Sequence, residues 1–117
     1  MLTGLRDELE IMALLRSCEC ADVDANERRA LVGAAQYGAL RVDLDERDFV
    51  VEAVEEMVDA RFYLAAEVIR LRRIMALHAS QFTSAPKTSA RIESHIGAIM
   101  SAVITIDATI RDITTSP

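Results

Sequence analysis

Seven apolar β-branched residues recur at alternating steps of four and three: Ile92, Ile96, Ile99, Val103, Ile106, Ile110 and Ile113. That spacing draws one seam down a helix of about six turns, and such a seam has to be covered by another helix. A strand over Val103 to Ile110 would use the alternation of Ile104, Ile106, Ala108 and Ile110, but the heptad spans more residues and selects helix. The middle of this helix, Ser94 to Ile106, carries no formal charge apart from the titratable His95, which predicts burial on every side. Small residues at Ser94, Gly97, Ala98, Ser101, Ala102, Thr105 and Ala108 would let a second helix approach closely.

A second long pattern precedes it. From Leu44 through Phe82 there is neither Gly nor Pro, and Asp43 with Glu46 has the form of a capping box at its start. One stripe runs through Val50, Val54, Met57, Leu64, Val68, Leu71, Met75, His78 and Phe82. Val51, Val58, Phe62, Ala65 and Ile69 widen it into a surface that more than one neighbour must cover. Read as one helix, these thirty-nine residues would span nearly 60 Å at about 1.5 Å each, against about 35 Å for a compact domain of 117 residues. The helix must therefore break or project into a partner, and the absence of a breaker favours projection. Its charges are segregated, with Glu52, Glu55, Glu56 and Asp59 early and Arg70, Arg72 and Arg73 late. This order suits the helix macrodipole, and two antiparallel copies would set acid opposite base.

Two shorter helices are expected at the start. Thr3 can cap the first, with Leu5, Leu9, Met12 and Leu15 at helical spacing, and Asp24 with Glu27 can box the second. Thr83 to Ser89, containing Pro86, reads as the loop that reverses the chain before the last helix, Ser89 to Ile113.

Composition removes several functions. Hydrophobic residues make up 51% of the chain, with only four Gly and two Pro, so it should fold, as a single all-helical domain over residues 1–117. Thirteen basic against nineteen acidic side chains give a net charge of −6, which disfavours nucleic acid as a partner. Cys18 and Cys20 are the only cysteines and imply a reducing compartment. The charged N-terminal stretch does not read as a secretory leader, and the longest uncharged runs are too short to span a bilayer. A soluble, cytoplasmic protein is expected, without a membrane partner.

Reactive constellations are sparse. Asp22, Asp24 and Asn26 hold the first three ligand positions of a calcium loop, but Glu27 stands where Gly is needed and Gly33 where a closing Glu is needed. Cys18 and Cys20 lack the second pair that a structural zinc site uses, and no Glu-x-x-His pair suggests a di-iron centre. The glycines are too scattered for a phosphate loop. No metal and no cofactor are expected.

Two short segments resemble enzyme motifs. Arg73-Ile-Met-Ala-Leu-His78 resembles the Arg-x4-His motif of HEPN ribonucleases, small all-α proteins that dimerise and bring two such motifs together. The resemblance implies His78 as general acid or base at an RNA 2′-hydroxyl or leaving oxygen, and Arg73 as stabiliser of phosphate charge. Arg61 to Arg72 looks like the first helix of the helical chorismate mutases, which implies carboxylate binding by Arg61 and Arg72. Read from its neighbours alone, His78 continues the apolar stripe of Leu71, Met75 and Phe82.

The sequence therefore predicts an all-α chain of about four helices with one very long central helix, assembled into an oligomeric bundle. The expected function is a non-catalytic protein-protein interaction module, acting as a homo-oligomer and most simply a dimer, with another protein as a further partner. The expected interface is Ile96, Ile99, Val103, Ile106 and Ile110 against Val54, Met57, Leu64, Val68 and Leu71. The alternative is a HEPN-like ribonuclease using Arg73 and His78.

Overall fold

The computed structural model describes residues 4–115, so the expected cap at Thr3 lies outside the described residues. The described chain is all-helical: α1 (Arg6–Ser17), α2 (Val23–Tyr37), α3 (Phe49–Leu77), α4 (Ala79–Thr83) and α5 (Pro86–Thr115). Its contacts fall into two compact units, Met1–Arg47 and Asp48–Pro117.

The first unit is a helical pair closed by a loop. Met12 of α1 and Val23 of α2 are buried together, with Leu5, Ile11, Leu15, Ala30 and Leu31 packed around them. The expected box at Asp24 and Glu27 is not used. Helix α2 starts two residues earlier, with Asp22 at the cap position in left-handed geometry and no side-chain cap. Burial of Val23 sets that start, and Asp24 and Glu27 instead face Arg16 of α1 at 3.8 and 3.4 Å. Helix α2 ends at Gly38, whose φ of 85° is open to glycine at no steric cost.

The returning segment is held to α1 by two adjacent carboxylates. Asp7 accepts a hydrogen bond from the Val42 amide at 2.8 Å, and Glu8 accepts one from the Leu40 amide at 3.0 Å. Both acids sit in the first turn of α1, where the helix dipole also favours negative charge. Glu8 is the buried charged residue among those described, and its Oε1 has no hydrogen-bond partner. Next to this clip, Asp45 takes a bidentate contact from the Arg47 guanidinium, 2.7 Å at the shortest, and the Arg47 amide at 2.9 Å. These hydrogen bonds hold its carboxyl down near 2, from an ordinary value of 3.8.

The second unit is a helical hairpin. Helix α3 begins at Phe49 and not at Leu44, because the true cap is Asp48, whose Oδ1 accepts from the Val50 and Val51 amides. Asp43 is occupied in a turn, with the Leu44 and Asp45 amides bonded to the Arg41 carbonyl. The helix also stops before Phe82. His78 leaves helical geometry at φ −116°, caps both α3 and α4, and accepts from the Gln81 and Phe82 amides through its carbonyl. The expected thirty-nine-residue helix is thus 29 residues, about 43 Å long, and α5 with 30 residues is its equal. Breakage, which no Gly or Pro announced, is the solution this chain uses.

After α4 only Ser84 and Ala85 separate it from Pro86, which occupies the first position of α5. There the missing N–H costs nothing and the fixed φ suits the helix. Helix α5 returns along α3. Val68, Ile96 and Ile99 are buried together, with Leu64, Leu71, Met75 and Ile92 packed around them. Asp107 of α5 joins Arg61 of α3 at 2.7 Å and Arg111 at 3.0 Å, a half-exposed link whose worth is below about 1 kcal/mol.

Candidate interaction surface

The seam predicted to face a partner is met within the chain. Val68, Ile96 and Ile99 are buried by the α3–α5 hairpin, Leu64 and Leu71 pack on them, and Val54, Met57, Val103, Ile106 and Ile110 are half-buried. The reason is connectivity: a short link puts α5 at high effective concentration beside α3, so the two stripes meet before a second chain can compete. The apolar surface that the hairpin leaves most open lies beside this seam.

It lies on the outer sides of both helices. Phe62 is 70% exposed, Ile69 45%, Leu77 80% and Ile104 68%, with Val51, Val58 and Met100 also open. The uncharged stretch of α5, expected to be buried all round, exposes Gly97, Ala98, Met100, Ser101, Ile104 and Thr105. Among the described residues no side chain is fully enclosed, and the buried apolar residues of this unit are Val68, Ile96 and Ile99 alone.

Two shallow depressions mark this surface. One, about 540 Å³, runs along the back of α3 over Phe62, Ala65, Ala66, Ile69, Ile74 and Leu77, flanked by Arg70 and Arg73. The other, about 250 Å³, is a groove between α3 and α5 lined by Ala65, Val68, Ile69, Arg72, Met100, Val103 and Ile104. Ala65 and Ile69 belong to both, so the apolar surface is continuous around α3. Phe62 and Tyr63 add an edge-to-face ring pair at 5.8 Å.

Charge on this surface is arranged by helix position. Arg70 is engaged by Glu67 through paired hydrogen bonds, which hold the Glu67 carboxyl below its ordinary value and raise Arg70. Arg72 spends one N–H on the Met100 sulfur at 3.4 Å, a weak acceptor. Arg73 and Glu55 are exposed and have no ion-pair partner among the described residues.

The enzyme-like motifs place Arg61, Arg72 and Arg73 on α3 and His78 at its C-terminal cap. Arg73 borders the depression of Phe62 and Leu77, whereas His78 is exposed at the helix end and is no part of that lining. Arg61 is tied to Asp107, and Arg72 lies in the open groove with Met100, so the two share no closed pocket. Cys18 and Cys20 are free and exposed, and no group of metal-ligating side chains occurs among the described residues. In the first unit a cleft of about 540 Å³ borders Glu8, Met12, Asn26, Tyr37, Leu44 and Asp45, but of its two acids Glu8 already holds the Leu40 amide and Asp45 the Arg47 guanidinium. No described helix is long and apolar enough to cross a membrane.

Comparison with protein families, curated proteins and solved structures finds no match for this chain.

Proposed function

We propose that this chain is a non-catalytic interaction module of the cytoplasm, which works by self-association of its helical hairpin into a homodimeric bundle. One observation carries the reading: Phe62, Ile69, Met100 and Ile104 form a continuous apolar surface that the hairpin itself does not cover. Uncovered apolar surface of this kind marks a site of association. Two antiparallel helices with three buried side chains also make a thin core, and helical stability in proteins comes mainly from tertiary packing. A second hairpin laid on the first would supply the missing layer, giving a four-helix arrangement.

Co-expression of a tagged and an untagged copy tests it. The untagged chain should be retained with the tagged one through washing at high salt, because apolar contact survives screening. Recovery of the tagged chain alone would remove self-association as the function.

A further inference from the structure

We infer that α3 carries a self-complementary docking seam on its flank beside the α5-facing line, and that its occupant is α3 of a second copy, lying antiparallel. This rests on the self-association proposed above and specifies its face, direction and register.

The residues Val51, Glu55, Val58, Phe62, Ala65, Ile69, Arg72 and Ala76 follow alternating steps of four and three along α3. They form a second heptad line, separate from the Leu64, Val68, Leu71 and Met75 line that meets α5. All eight are exposed. Six are apolar and two are charged, and the charged two have opposite sign.

The line is nearly palindromic about the midpoint between Tyr63 and Leu64. A twofold axis at that level sets Phe62 opposite Ala65 of the second copy, Val58 opposite Ile69, Val51 opposite Ala76, and Glu55 opposite Arg72. Each pairing occurs twice, as an isologous contact requires. A large ring meets a small side chain at the centre, and apolar meets apolar on either side. The acid and the base come level about 13 Å from the axis, at about 1.5 Å per residue. A parallel pair in register would place Glu55 against Glu55 and Arg72 against Arg72, so like-charge repulsion selects the antiparallel arrangement.

Two neighbouring features fit the same occupant. Ala65 and Ile69 open sideways onto the groove with Met100 and Ile104, so a helix on this line also covers the exposed apolar residues of α5. Among the described residues Arg72 donates to the Met100 sulfur, and a carboxylate is the stronger acceptor.

Charge exchange in the intact chain tests direction and register together, with the dissociation constant read by sedimentation equilibrium and folding checked by circular dichroism. Glu55→Arg and Arg72→Glu should each weaken the dimer about tenfold or more, because each reverses two contacts at once. The double variant E55R/R72E should return to within about threefold of the parent. Glu56→Arg makes the same change in net charge off the line, and should shift the constant by less than about threefold. A dimeric parent in which the double variant is no tighter than the singles overturns the seam while leaving self-association standing. A parent that stays monomeric throughout overturns both.

Discussion

Replacing Ile99 with Ala probes the hairpin core where it is thinnest. Ile99 is 8% exposed and shares its cluster with Val68 and Ile96. The substitution removes three carbons, about 2.4 kcal/mol of transfer free energy at roughly 0.8 kcal/mol each. The cavity contribution should be small, since two helices with open outer faces can close inward more easily than a fully surrounded core. The higher helix propensity of Ala returns a few tenths of a kcal/mol. The net loss expected is about 2 kcal/mol, at the low end of large-to-small core changes. Urea unfolding followed by circular dichroism measures it, with parent and variant at one protein concentration because association would contribute to stability. Leu14→Ala, outside the hairpin, is the control: that side chain is 63% exposed, and its removal should cost less than about 0.5 kcal/mol. If Ile99→Ala costs no more than Leu14→Ala, α5 does not pack on α3 through this seam.

Glu8→Ala should destabilise the first unit by about 1 kcal/mol and speed hydrogen exchange at the Leu40 amide, since a part-buried donor loses its acceptor; Glu8→Gln keeps an acceptor and should cost less. Asp45 should titrate near 2 by NMR and move back toward 3.8 in Arg47→Ala, so its contribution is present above the ordinary carboxylate range and is lost as pH falls through about 4 to 2. An unshifted Asp45 in that variant would show that Arg47 is not the cause. Purified protein should degrade RNA no faster than its His78→Ala variant; cleavage that depends on His78 would restore the ribonuclease reading of the Arg73 and His78 motif.

Much of the helical architecture was legible because helical period is a local signal. The isoleucine seam of α5, the stripe Leu64, Val68, Leu71 on α3, and the reversal before Pro86 all reappear, although the loop expected over Thr83 to Ser89 shrinks to Ser84 and Ala85 because Pro86 opens α5. The extra width contributed by Val51, Val58, Phe62, Ala65 and Ile69 was visible too, and it is this surface that the hairpin leaves open. Caps were less legible, since Asp43, Asp48 and Asp24 are equivalent as letters. Asp48 caps α3, while burial of Val23 places the start of α2 ahead of Asp24. The break at His78 had no Gly or Pro to mark it. The Glu8 to Leu40 bond spans 32 positions, a separation at which periodicity carries no information. Most consequential was connectivity: a heptad shows that a partner helix is needed, and not whether the same chain provides it.

Molar mass in solution is the most direct check on the claim that the open side of the hairpin is covered by a second copy. Light scattering over a wide concentration range should give twice the chain mass of 12.9 kDa at the upper end, with a shift toward the single-chain value on dilution. A mass of 12.9 kDa held constant up to the highest concentration, with the helices intact, would contradict it.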